Sequence, residues 1–302
     1  MSRPLQDQSS FDSPTGSLTR SYSSGRSIFG IIMTILAGAC LVIALIPLFA
    51  VVIYVVKQGA GRLNLDLFTQ LPPPPGLQGG GIANAILGTL ITVGIGTLIS
   101  LPFGVLAAVY LSEFSSGAIS QGIRFATNVL AGVPSIIAGI FAFGLVVVTT
   151  GKFSAFAGGL ALAVLMLPTI IRTTDEALRI VPQDIRWASV GVGASNYQTV
   201  LQIVIPAAIP AIITGVTLAI ARAAGETAPL IFTALNSPFW PKLSPETLWT
   251  QPIATLSVLI YNFATVPFKA QQELAWAASF ILVFLILLTS VFARMATRRQ
   301  LY

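Results

Sequence analysis

The sequence predicts an all-α membrane protein built from six transmembrane helices, and three observations predict it. Only 9% of the 302 residues are charged, against about 25% in a soluble domain, while 55% are apolar. The apolar residues gather in runs, several of them at least as long as the roughly 18 residues that mark a spanning helix. Between the runs lie polar or Pro- and Gly-rich stretches that cannot continue a helix.

Residues 1–27 are polar and Ser-rich, with Arg3, Asp7, Asp12, Arg20 and Arg26, and predict a disordered tail. The run 28–56 is too long for the core of a signal peptide and reads as an uncleaved first span. Cys40 within it is expected to behave as a small buried hydrophobe. Pro72, Pro73, Pro74 and Pro75, then Gly79, Gly80 and Gly81, make 57–81 a loop outside the bilayer. The second span is 82–111, the third 125–148 and the fourth 155–171, with kinks expected at Pro102 and Pro134.

Residues 172–205 turn polar and predict a helix-turn-helix loop. Pro182 suits a first helical position and Gly191 a stop; Ser195 and Gln198 have capping-box spacing, starting a second helix that runs toward Pro206. The fifth span is 207–224 and the sixth 274–292, leaving 295–302 as the C-terminal tail. Between these spans, 253–264 is apolar but too short to cross, which fits a re-entrant or interfacial segment.

Six spans put both ends on one side, and basic residues choose the side. With the tail inside, the inner segments hold Arg3, Arg20, Arg26, Arg124, Arg172, Arg179, Arg186, Arg294, Arg298 and Arg299. The outer ones hold Lys57, Arg62, Lys152, Lys242 and Lys269. This asymmetry predicts cytoplasmic termini and a cytoplasmic 172–205 loop.

Composition also prunes the chemistry. The chain has no histidine, which removes imidazole acid/base work and His-metal sites, and one cysteine cannot form an intrachain disulfide. The net charge of +6 comes without a basic cluster interleaved with aromatics, so nucleic acid is not an expected partner. The nearest approach to a phosphate-cradling loop, residues 144–152, has the wrong glycine spacing and Phe153 where Ser or Thr should follow the lysine. No resident cofactor, metal or nucleotide is expected, and no catalytic residue.

Two patterns point to function. The second span carries a small or polar residue at every fourth position, among them Gly88, Gly96, Ser100 and Gly104. Such spacing lets backbones approach closely in lipid, but it drifts about 40° per step, so it suits different neighbours at different depths. Generic packing and lining of a translocation route are both open readings. In the fifth span, Arg222 and Glu226 form an i,i+4 ionisable pair. Taking Gly215 as zero, Ala211 falls at about −40°, Arg222 at about −20°, Glu226 at about +20° and Ala219 at about +40°, so the pair is expected to point into the bundle. It is either a structural ion pair that fixes register or a site for an anion, with Glu226 holding the guanidinium when the site is empty.

At these residues the chain resembles the permease subunits of binding-protein-dependent ABC importers, the MetI-like type I bundle with a cytoplasmic coupling helix. In the loop, Trp187-Ala188-Ser189, then Gly193, then Ile203-Val204-Ile205-Pro206 are similar to that family's E-A-A motif, with Trp187 in place of the acidic residue and Ser189 in place of the second Ala. The string from Arg222 to Leu230, together with Asn84-Ala85, Gly88-Thr89-Leu90, Ala131 to Ile136 and Leu274 to Ala277, resembles the phosphate branch, the PstA-type permeases. The resemblance implies a subunit that is not an enzyme, in the plasma (inner) membrane of a prokaryote. It also implies a PstC-type permease as heterodimer partner, a PstB-type ATPase dimer that binds the ATP and Mg, and an extracytoplasmic phosphate-binding protein. Arg222, Glu226 and Thr227 would border the substrate pathway; Pro182, Arg186, Trp187, Ala188, Ser189 and Gly193 would couple to the ATPase; Gly88, Gly96, Ser100, Gly104 and Gly215 would pack helices. Sulfate or molybdate as cargo, and a stand-alone channel or carrier, are the alternatives.

Overall fold

The structure is a computed structural model and describes residues 25–115 and 117–298. The predicted tail up to residue 24 and the last four residues of 295–302 lie outside the described residues. The chain divides into two compact units, 1–54 and 55–302. The first helix, α1 (Gly25–Ala60), passes through Pro47 without interruption. Cys40 on it is exposed, which corrects the expectation of burial. A helix apolar on every side has no stripe that singles out a packed face.

In the second unit, α2 (Leu65–Thr69) is a single turn capped by the Asn64 side chain, which accepts from Leu67 N at 3.0 Å. The second span is α3 (Ala83–Val109), which ends in a π turn, Tyr110–Phe114.

The third span differs from the expectation of a kinked helix over 125–148. It is a corner: α4 (Ala118–Ala131) and α5 (Ser135–Ala142) meet at 101°, and the chain then continues through a π turn, Phe143–Val147, to α6 (Val148–Thr150). Pro134 has no N–H and stands in extended conformation (φ −56°, ψ 136°), so the hydrogen-bond ladder stops outright instead of bending.

The fourth span, α7 (Ala155–Ile180), starts where Ser154 Oγ accepts from Ala157 N at 3.1 Å. It continues well beyond residue 171. The added turns are one-sided, with Thr174, Ala177 and Leu178 buried and Arg172, Glu176 and Arg179 outward, so polarity there marks an amphipathic helix end and not a loop. The connector is correspondingly short. It contains α8 (Gln183–Gly191), with Pro182 as its N-cap instead of its first residue and Gly191 as its last helical residue. The reversal falls at Gly193, whose φ of +93° is one that a side chain disfavours.

The capping box at Ser195 and Gln198 starts α9 (Asn196–Thr199), but this helix does not end before Pro206. A π turn, Val200–Val204, joins it to α10 (Ile205–Gly225), and 196–225 forms a single apolar rod. Pro206 lies in the first turn of α10, where the widened π register accommodates its missing donor.

Four helices complete the unit: α11 (Ala228–Thr233), α12 (Pro245–Thr250), α13 (Leu256–Ala264) and α14 (Lys269–Arg298). The short segment predicted at 253–264 contains α13, whose Leu256, Ser257, Val258, Leu259 and Phe263 are buried. Among the described residues five helices are long and apolar enough to cross a bilayer, and six if the α4–α5 corner makes one crossing. One core gathers Leu162, Met166, Ile170, Ala219, Ala223 and Leu230, from α7, α10 and α11. A second gathers Leu67, Ile82, Leu256, Leu259 and Leu274 around α13 and α14.

Candidate functional site

The small-residue stripe of α3 is buried along its length, from Asn84 through Gly88, Thr92, Gly96, Ser100 and Gly104 to Ala108. Its drift is met by changing neighbours. A β-carbon at Gly88 would collide with the Ala254 carbonyl oxygen; at Gly96 it would stand 3.1 Å from the Gly159 carbonyl oxygen, and at Gly104 2.7 Å from Ile170 Cγ2. Ser100 Oγ lies 3.9 Å from Met166 Sδ, and Gly215 of α10 abuts Thr173 of α7. The first two turns of α3 also hold the chain before α13 and the start of α13 itself. Asn84 Nδ2 donates to Ser237 O at 2.7 Å, and Leu256 N donates to Thr89 Oγ1 at 2.8 Å.

On α10 the buried positions are Ala208, Ile212, Gly215, Ala219 and Ala223. After Pro206 the exposed ones, Ala207, Ala211, Thr214, Leu218, Arg222 and Gly225, form a separate stripe centred about 100° away. Arg222 is therefore not on the packed face with Gly215 and Ala219. Its side chain is 51% exposed and Glu226 is 17% exposed. Small residues line both stripes, so size alone does not mark the packed one; the fit of Gly215 to Thr173 does.

The turn after α10 is fixed from two sides. Glu226 leaves the helix in extended conformation (φ −73°, ψ 127°), its carbonyl accepting from Ser257 Oγ at 2.8 Å. Thr227 is the N-cap of α11, and Pro229 packs so tightly on Gly139 of α5 that a β-carbon there would lie 2.5 Å from Pro229 Cα. Glu226 Oε1 then sits 3.5 Å from Arg222 Nε. Among the described residues nothing else pairs with the guanidinium, whose two terminal nitrogens remain available to oxyanion oxygens. No group of three or more Asp, Glu or Cys residues that could hold a metal occurs among the described residues.

The second locus is α8, and its two faces separate the expected coupling residues. Pro182, Trp187, Ala188 and Gly193 are exposed, Trp187 by 69%. Arg186 and Ser189 point the other way, into the bundle. Arg186 pairs with Glu113 and donates to Leu178 O at 2.8 Å, while Ser189 Oγ lies 2.9 Å from Thr199 Oγ1 in a buried pair. Sequence reasoning missed Glu113 and Thr199. It also missed Asp175, which binds Arg124 at 2.9 Å and Arg179 at 3.4 Å. The i,i+4 spacing of Asp175 and Arg179 was the one local signal for any of these.

A family model for the inner membrane component of binding-protein-dependent transport systems matches residues 100–302. The chain is 39% identical over 264 residues to the phosphate transport system permease protein PstA of Yersinia pestis, covering 87% of this chain and 88% of that protein. It is 41% identical to the PstA of Haemophilus influenzae (84% and 88% covered) and 37% to PstA 1 of Mycobacterium tuberculosis H37Rv (86% and 85%). Among solved structures, a chain of the MetNI methionine ABC transporter in an inward-facing form superposes with a TM-score of 0.56 at 20% identity, over 74% of this chain and 95% of that one. A chain of a bacterial alginate ABC transporter does so at 0.62 and 15% identity, over 92% and 98%. These two likenesses bear on the fold.

Proposed function

The chain belongs to the PstA-type permeases within the family of binding-protein-dependent transport system inner membrane components, and from that membership we propose that it forms half of an ATP-driven import pathway for inorganic phosphate. As a permease subunit it moves its cargo without altering it. Its partners in this reading are a PstC-type permease that completes the pathway, a PstB-type ATPase dimer that holds ATP and Mg, and an extracytoplasmic phosphate-binding protein that delivers the anion. The assembly sits in the plasma (inner) membrane of a prokaryote, with both termini and α8 on the cytoplasmic side.

The observation that carries the reading is Arg222, a charged side chain at the end of an apolar rod and on its exposed stripe. A guanidinium costs roughly 2.5 kcal/mol or more at mid-bilayer, so such residues face protein or water and often mark ion routes. The Glu226 carboxylate holds it between cargoes, and an arriving phosphate takes over the terminal nitrogens. Thr227 adds a hydroxyl at the same turn. The exposed face of α8, with Trp187 and Ala188, receives the ATPase, and closure of the ATPase displaces α8.

The test is phosphate uptake by proteoliposomes of the four-component complex carrying Arg222→Gln. Uptake is expected to fall at least about 30-fold, the worth of about 2 kcal/mol of charge-assisted hydrogen bonding, with all subunits still co-purifying. Unchanged uptake would remove Arg222 from the pathway.

A further inference from the structure

Three elements converge at one nearly buried ion pair. Glu113 lies in the π turn that ends α3, and Arg186 reaches it from α8, 73 residues away in sequence; their side chains are 6% and 15% exposed. Both carboxylate oxygens are engaged, Oε2 by Arg186 Nη1 and Oε1 by Ser112 Oγ at 3.1 Å. Arg186 Nη2 donates to the Leu178 carbonyl at 2.8 Å, in the last turn of α7, where helix carbonyls lack intrahelical partners. Three residues along the same face of α8, Ser189 is hydrogen-bonded to Thr199, which belongs to the rod that continues into α10 and carries Arg222.

We infer that Glu113 is a positioning residue: its pair with Arg186 makes α8 and the end of α3 one rigid unit, while the Ser189–Thr199 bond ties the same helix to α10. The inference rests on the reading of α8 as the element that the ATPase displaces. Without these ties α8 hangs between two pliable joints, Val181–Pro182 in extended conformation on one side and the reversal at Gly193 on the other. A push on its exposed face would be taken up at the joints. With the ties in place, a push on Trp187 and Ala188 moves α3 and α10 together. Exposed ion pairs hold geometry poorly, but a pair this buried, with the Ser112 hydroxyl and the Leu178 carbonyl also bonded to it, leaves an uncompensated charge in low dielectric if it opens, so it stays closed through the stroke. The division of α8 into an inward face of Arg186 and Ser189 and an outward face of Trp187 and Ala188 separates transmission from docking.

The test uses the assembled complex with Cys40 replaced by Ser and nitroxides at Val190→Cys on α8 and Leu106→Cys on α3, sites that are 50% and 67% exposed. Electron–electron distance measurements are made without nucleotide and with ATP trapped. The native pair is expected to hold the distance within about 2 Å between the states, whereas Glu113→Gln shifts or broadens it on trapping. Phosphate carried per ATP is expected to fall about fivefold or more in Glu113→Gln, with ATPase co-purification intact. If that variant does not assemble, Glu113→Gln with Arg186→Met removes the uncompensated charge and carries the same expectations. A native α8–α3 distance that moves as far as the variant's, normal transport per ATP in the variants, or loss of ATPase binding in both would overturn the inference. Failure of the native complex to carry phosphate would instead count against the proposed cargo, because the distances judge rigidity without it.

Discussion

At the scale of single residues, the site is a set of close approaches and one half-exposed charge. Gly88 is specified by a backbone contact, since any β-carbon there meets the Ala254 carbonyl, and backbone cannot step aside as a side chain can. Gly88→Val is expected to cost about 1–3 kcal/mol and to lower the unfolding temperature of the detergent-solubilised complex by several degrees. At Arg222 the shape of the cation matters as well as its sign. Arg222→Lys keeps the charge but loses the planar fork, so phosphate uptake is expected at roughly a tenth of the native rate, above that of Arg222→Gln. Equal rates for the two variants would mean that charge contributes nothing. Arg222 and Glu226 were legible in the sequence because ionisable residues in an apolar run are conspicuous. Which face they occupy was not, because alanines and a glycine line both stripes of α10. Glu113 was invisible, since a carboxylate at the end of a span is ordinary and its partner is remote in sequence.

At the scale of elements, α8 is tied to its neighbours by the side chains of one face, Arg186 and Ser189. Its exposed face predicts that Ala188→Asp weakens ATPase co-purification at least about 30-fold, because an unpaired charge buried in an interface costs about 2 kcal/mol or more. Ser189→Ala, on the inward face, should leave co-purification unchanged while lowering transport per ATP. Equal loss of the ATPase in both variants would contradict the two-faced description. The runs of apolar sequence indicated where the long helices lie, and the capping box at Ser195 identified a true helix start. Helix ends were harder. The one-sided charges on the last turns of α7 resemble a loop when read residue by residue, and the break at Pro134 gives a 101° corner where proline alone suggests only a kink. The continuity of α9 with α10 depends on a π turn, which has no reliable composition of its own.

At the scale of the whole molecule, function requires parts that this chain does not contain. The exposed stripe of α10 is narrow and built mainly of small residues, which suits close approach by a helix of the proposed second permease. The proposed orientation rests on the basic residues, and under it the α4–α5 corner counts as one crossing. Trp187→Cys in a Cys40→Ser background should accordingly be labelled in intact cells by a membrane-permeant thiol reagent and spared by an impermeant one. The central claim is that energy enters from outside the chain through α8 and drives phosphate past Arg222. Its most direct test is radiolabelled phosphate accumulation in proteoliposomes of the full complex, with ATP supplied on one side of the bilayer only. Accumulation against the gradient is predicted only when ATP is on the side that exposes position 187; ATP-independent phosphate flux through the purified chain alone would contradict it.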